Sequence, residues 1–231
     1  ALPISDIVYG AAGYDAIYGV QGVTQMRFSD MLGDHRIVLA TNLLLDLRNS
    51  DYQLAYQYLP RRTDWSVSGF HVSRLLADFT EDDPTYFRYR QYGGNVNASY
   101  PIDKFHRLDL DLGVVGVNQA DVTNITVPSV SRALLIPRVT FTRDVTTPGL
   151  LSPIDGGRLA VSFSGAPVSF NGAGIRFGTV LFDARLYESF SRSRYTWALR
   201  LSMGSSFGRS QQVFYTSGVQ NWLNRTFDKV N

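Results

Sequence analysis

Three consecutive runs, residues 158–164, 180–186 and 195–203, alternate apolar side chains with small, polar or charged ones. The third run has its large apolar residues at every second position: Tyr195, Trp197, Leu199, Leu201 and Met203. Because successive side chains of a β-strand point to opposite faces, each run predicts a strand with one apolar and one polar face. A soluble sheet can show this pattern. A transmembrane β-barrel requires it, since lipid covers one face and water the other.

The same succession of strand, turn and strand continues along the whole chain, and it predicts about eleven strands before Phe207. The connections alternate between long and short, as in bacterial barrels with long outer loops and short periplasmic turns. We therefore predict an all-β fold, with residues 1–231 forming one antiparallel transmembrane β-barrel domain. The strand at residues 65–75 is expected to be irregular at Gly69, and residues 208–231 show no clean final strand.

The expected number of strands is odd, whereas bacterial barrels have even numbers. An open sheet edge in lipid would leave backbone groups unpaired, at a cost of several kcal/mol each. We therefore expect an incomplete 16-stranded barrel, whose closing strands lie beyond Asn231 or in another chain. The first residues have neither a basic stretch nor an apolar stretch typical of a signal peptide, so we expect an internal piece of a longer protein.

Composition excludes several classes of function. The chain has no cysteine, so it has no thiolate metal site and no cysteine nucleophile. A net charge of +2 gives no indication of the basic surface that binding to nucleic acid requires. The three histidines, His35, His71 and His106, are scattered over different strands and turns, which predicts neither a metal site nor a cofactor. The acidic residues 78–83 lack the spacing of a calcium loop and are interpreted as a solvated outer loop.

Four local features give this chain a resemblance to a known family. They are the strand-turn-strand at residues 28–35, the Phe-Thr-Arg-Asp of residues 141–144 with the Pro-Ile-Asp-Gly-Gly turn that follows at 153–157, the short turn at 190–194, and the aromatic segments 214–218 and 221–223. This arrangement resembles the bacterial surface-antigen barrel, the membrane domain of BamA-like insertases and of two-partner secretion transporters. The family's Arg-Gly-aromatic loop tip is absent, since residues 224–227 read Asn-Arg-Thr-Phe.

The resemblance implies a bacterial outer-membrane protein with a non-catalytic role in inserting or moving proteins or lipids. The implied partners are outer-membrane lipid, other envelope proteins and a periplasmic propeller domain. The first strand, residues 7–14, would form one lip of a weak seam, because its Gly-Ala-Ala-Gly centre offers few side-chain contacts. Gly218 and Trp222 would lie at the base of the sixth outer loop.

Six charged residues are expected on the polar, lumen-facing side of the strands: Asp109, Asp111, Arg138, Asp183, Arg185 and Arg200. They are candidates for a polar conduit or for a wall on which the sixth loop docks. The alternative is that they pair with one another and merely fill the barrel, since lumen charges are normal in such proteins.

Three other functions remain open. One is a passive porin or a structural barrel within a larger envelope complex. Another is a barrel phospholipase, because His71 and Ser73 would share one face of a strand, as base and nucleophile must. The Asn-Gly expected after that serine is replaced by Arg74-Leu75. The last is a soluble β-sandwich, in which Leu110, Leu199 and Leu201 would be buried between two sheets.

Overall fold

The computed structural model describes residues 4–15, 19–44, 49–78, 85–124, 126, 128–150, 152–170, 174–190, 195–217 and 222–227. The described residues form β-strands joined by turns. In chain order the strands are β1 (Ile4–Asp15), β2 (Gly19–Ser29), β3 (His35–Leu44), β4 (Asp51–Tyr58), β5 (Asp64–Asp78), β6 (Thr85–Pro101), β7 (His106–Asp121), β8 (Val130–Asp144), β9 (Thr147–Pro148), β10 (Pro153–Ala166), β11 (Val168–Phe170), β12 (Phe177–Phe190), β13 (Tyr195–Gly208), β14 (Gln212–Ser217) and β15 (Trp222–Phe227).

Most of these strands belong to one antiparallel 13-stranded sheet. Its main path follows the chain in the order β1-β2-β3-β4-β5-β6-β7-β8-β10-β12-β13, while β9 pairs with β10 and β11 with β8. The predicted all-β antiparallel fold and its eleven principal strands are thereby confirmed. Among the described residues after Gly208, none joins this sheet, and β14 and β15 pair as a separate two-stranded sheet. Among the described residues, no helix is long and apolar enough to cross a membrane.

The chain divides into two compact units, and the first consists of residues 1–98, 112–135 and 169–173. Within it, β4 and β5 pair without a break from Tyr58 opposite Trp65 to Tyr52 opposite His71. Gly69 therefore lies in a regular ladder with β4, opposite Leu54. The alternation changes phase further along β5, where Ser73 is buried and Arg74 is exposed.

The second unit consists of residues 99–111, 136–168 and 174–231. Its strands β8, β10, β12 and β13 pair in unbroken antiparallel register. Since directly opposed residues share a face, this register aligns the alternating patterns of all four strands. The side that carries the charged residues is called the polar face below, and the side that carries the large apolar residues is called the outer face.

The exposed fractions of the side chains differ between the two faces of the second unit, as the sequence predicts. On the outer face, Leu199, Leu201 and Leu110 are 69%, 53% and 47% exposed. On the polar face, the side chains of Arg200 and Asp109 are only 24% and 16% exposed. A soluble sandwich would bury the leucines between its sheets. An outward apolar face with an inward polar face is the arrangement of a membrane barrel wall.

Candidate functional site

The register of the second unit stacks charged residues into a row across four strands. Asp144 on β8 lies opposite Arg158 on β10, which lies opposite Arg185 on β12, and Arg185 lies opposite Arg200 on β13. Like charges directly opposite one another destabilise a sheet. Three adjacent arginines therefore require nearby carboxylates to compensate them.

Asp183 supplies most of that compensation. Its Oδ1 accepts a hydrogen bond from Arg185 Nε at 2.7 Å, and its Oδ2 accepts one from Arg200 Nε at 2.7 Å. The hydroxyl of Ser202, directly opposite Asp183, donates a third bond at 3.1 Å. The structure thus brings together three of the six predicted charged residues, Asp183, Arg185 and Arg200, as one ion cluster.

The other three predicted charged residues lie outside this cluster, on β7 and β8. Asp109 accepts hydrogen bonds from Ser99 Oγ at 2.5 Å and from Arg107 Nε at 3.1 Å. Asp111 lies two residues further along the same face of β7, and Arg138 lies opposite Ser164 near the start of the paired part of β8. Asp109 and Arg107 thus form a second local ion pair on the polar face.

The segment after β13 folds back onto the polar face. Thr179, only 1% exposed, donates from Oγ1 to Oε1 of Gln212 at 2.9 Å. The backbone N–H of Gln212 donates to Ser206 Oγ at 2.9 Å, and that hydroxyl donates to the carbonyl of Gly178 at 3.2 Å. Thr179 and Ser206 are directly opposed on β12 and β13. The start of β14 is therefore held by both strands.

An aromatic contact extends this attachment by one cross-strand row. The ring of Phe214 lies over Gly204, where an added Cβ would come within 2.9 Å of the ring. Gly204 stands opposite Leu181 on β12, which stands opposite Ser162 on β10. Because glycine has no side chain, Gly204 leaves room above β13 for the ring of Phe214. We call the contacts of Gln212 and Phe214 with β12 and β13 the β14 latch.

The latch residues precede the predicted base of the sixth loop in the sequence. Gly218 falls outside the described residues, and Trp222 begins β15 opposite Ser217. Neither Thr179 nor Gln212 is among the site residues predicted from the sequence. The one available signal was the alternation of Gln212 and Phe214, which places both on the same side of a short strand.

Replacing both latch residues, Gln212→Ala with Phe214→Ala, is expected to release β14 from the polar face. The change removes the hydrogen bond from Thr179 to the Gln212 side chain and a half-buried ring, a loss of about 2 kcal/mol. Trypsin should then cleave after Arg209 at least tenfold faster in the folded protein in detergent. Phe163→Ala, which removes an outer-face ring, should leave this rate near that of the wild type. Equal cleavage rates in the latch variant and the wild type would contradict the latch.

The residues proposed for hydrolysis are engaged in contacts that hold a turn. His71 Nδ1 lies 2.8 Å from the carbonyl oxygen of Ser50, and its ring stacks on Tyr52 with centroids 4.8 Å apart. The backbone N–H of Ser73 donates to Asp51 Oδ1 at 2.9 Å, while Asp51 Oδ2 pairs with Arg74 at 2.6 Å. The nearby carboxylate is thus directed to Ser73 N–H and Arg74. These contacts tie Ser50 and the start of β4 to β5.

Among the residues that the structure describes, no group of three or more histidine, aspartate or glutamate side chains could hold a metal ion. No protein-family model matches the chain, and no curated protein matches it in sequence. A search of solved structures finds a similarity in fold to the crystal structure of BamA from Haemophilus ducreyi lacking POTRA domains 1–3, with a TM-score of 0.59 at 15% sequence identity. The match covers 89% of this chain and 42% of that chain, so this chain spans less than half the length of that protein.

Proposed function

We propose that this chain forms part of a bacterial outer-membrane β-barrel that acts without catalysis in inserting or moving proteins or lipids at that membrane. The observation that carries the proposal is the seating of the chain's own β14 on the polar face of a wall whose other face is apolar and exposed. A polypeptide segment held there by two hydrogen bonds and one ring can be displaced, as a transport role requires. The similarity in fold to BamA supports the same class of function.

The partners follow from this proposal. Outer-membrane lipid would cover the outer face, and other envelope proteins or a periplasmic propeller domain would join the barrel at its periplasmic end. A docking wall on the polar face is supported by the position of the ion cluster next to the latch. Asp183 is two residues from Leu181, which lies opposite Gly204, the residue that the Phe214 ring covers. Asp183, Arg185 and Arg200 would keep this wall rigid, while the latch segment moves against it.

Depletion of the protein in the bacterium that encodes it tests the proposed role. We expect the folded fraction of other outer-membrane barrels, or the amount of surface lipid, to fall within a few generations. Wild-type protein should restore them, and the Gln212→Ala, Phe214→Ala variant should restore them incompletely. If depletion alters only the passage of small solutes, the protein is a passive porin. If lipid hydrolysis disappears on Ser73→Ala, it is a hydrolase, and the transport role is wrong.

A further inference from the structure

One corner of the second unit combines exposed cations with aromatic rings at the end of the outer face. It is formed by the turn between β6 and β7 together with the end of β8, since the N–H of Asp144 donates to the carbonyl of Phe105 at 2.8 Å. We call Lys104, Phe105, His106, Phe141 and Arg143 the basic corner.

The rings of the basic corner belong to the outer face. His106 stacks on Phe141 with ring centroids 5.9 Å apart, and Leu110 continues the same face of β7. Arg143 is two residues beyond Phe141 on β8, so it lies on that face too, and it is exposed. Aromatic rings at the end of an apolar band mark the boundary between hydrocarbon and headgroups in membrane barrels.

The ammonium of Lys104 is held at this boundary. Its Nζ lies 4.7 Å from the centroid of the Phe105 ring, in a cation–π contact. Both Lys104 and Phe105 are exposed, so the ammonium remains open to a ligand on its other side. A cation placed over a ring at the edge of an apolar face is positioned for an anion that itself sits at the lipid surface.

Asp103 lies in the same turn as Lys104, and its carboxylate accepts the hydrogen bonds that close this turn. Its Oδ1 accepts the backbone N–H groups of Phe105 at 2.7 Å and His106 at 2.8 Å, and its Oδ2 lies 2.8 Å from His106 Nδ1. These donors hold the pKa of Asp103 below its ordinary value, the N–H of Phe105 most strongly. Asp103 therefore stays ionised on the side of Phe105 and His106, and the two cations of the corner are left for an external anion.

We propose that the basic corner binds the phosphate of an anionic phospholipid in the adjoining leaflet. Lys104 and Arg143 would contact the phosphate, while Phe105 and Phe141 would lie against the upper part of the acyl chains. The inference rests on the membrane placement of the strands and is independent of the transport role. It adds a lipid headgroup preference to a barrel that would otherwise contact lipid only through its apolar face.

Native mass spectrometry of the full-length protein in detergent tests the proposal, with phosphatidylglycerol and phosphatidylcholine of identical acyl chains as probes. We expect tighter binding of phosphatidylglycerol to the wild type. Lys104→Gln and Arg143→Gln should each weaken that binding about fivefold, and the double variant about 30-fold, since each cation near an anionic surface contributes a comparable factor. Binding of phosphatidylcholine should change little.

Two further variants serve as controls for charge and position. Arg209→Gln removes one exposed positive charge at the turn after β13 and is expected to leave phosphatidylglycerol binding unchanged. Exchanging the two cations, Lys104→Arg with Arg143→Lys, should retain it. Unaltered binding in the double glutamine variant, or an equal loss in Arg209→Gln, would overturn the proposal. Because the assay involves no transport, the two proposals can fail separately. A barrel that is inactive in transport can still prefer phosphatidylglycerol, and one that is active can lack this preference.

Discussion

Gly156→Ala is expected to destabilise the folded barrel by about 3 kcal/mol, combining a left-handed backbone with a clash against neighbouring backbone. The φ of Gly156 is 89°, a conformation that a residue with a side chain rarely adopts. An added Cβ would overlap the carbonyl oxygen of Val145 and approach the Cα of Thr146 to 3.0 Å. Neither atom can move without displacing the chain that leads into β9. The urea midpoint after refolding into vesicles measures the loss.

Two glycines of the same protein separate the causes of this effect. Gly174 has a φ of 57° but no atom within 4 Å of an added Cβ, so Gly174→Ala should lose only about 1 kcal/mol through backbone strain. Gly22 has neither a positive φ nor a close neighbour, and Gly22→Ala should be nearly neutral. If the alanine variants at Gly156 and Gly174 lose equal stability, the clash with Val145 plays no part.

Asp183→Asn is expected to cost about 2 kcal/mol, because it leaves two guanidinium groups directly opposed without their shared carboxylate. The side chains of Asp183, Arg185 and Arg200 are 21–25% exposed, so water screens them incompletely. Because of this partial exposure, the expected loss of stability is smaller than the roughly 3–5 kcal/mol typical of a fully buried pair. The urea midpoint should fall, while the amide keeps the shape of the side chain.

The matched control removes the charges of the two arginines together with that of the aspartate. Asp183→Asn combined with Arg185→Gln and Arg200→Gln should recover most of the lost stability, since no uncompensated charge remains. Ser202→Ala removes one hydrogen bond to Asp183 without changing its charge, and should cost no more than about 1 kcal/mol. A wild-type midpoint for Asp183→Asn, or no recovery in the triple variant, would show that the cluster contributes little.

Strand identity and the orientation of the faces could be predicted from the sequence because both depend on local alternation. Leu199, Arg200 and Leu201 are enough to show it, since their side chains must point to opposite sides of any strand. The same alternation predicts Asp109 and Asp183 on the polar face. It worked because lipid and water impose the pattern on each strand separately, whatever its partner.

Features that depend on strand register, or on a segment that folds back onto the sheet, could not be predicted from local alternation. The turn expected at residues 153–157 is the start of β10, where pairing with β9 shifts register between Pro153 and Asp155. The latch between Thr179 and Gln212 joins residues far apart in sequence, and neither has a distinctive neighbour pattern. Gly69 suggested a bulge because glycine often marks one, yet its ladder with β4 is regular.

The arginine row has a consequence for the order in which strands can enter a membrane. Arg158 finds its carboxylate on β8, at Asp144, with 3.7 Å between Nε and Oδ2. Arg185 and Arg200 find theirs on β12, at Asp183. Arg158 and Arg200 thus each find their carboxylate on a neighbouring strand, so they keep it only if the two strands enter together. A lone β10 or β13 would bring its guanidinium group, Arg158 or Arg200, into the membrane without that carboxylate, which favours entry two strands at a time.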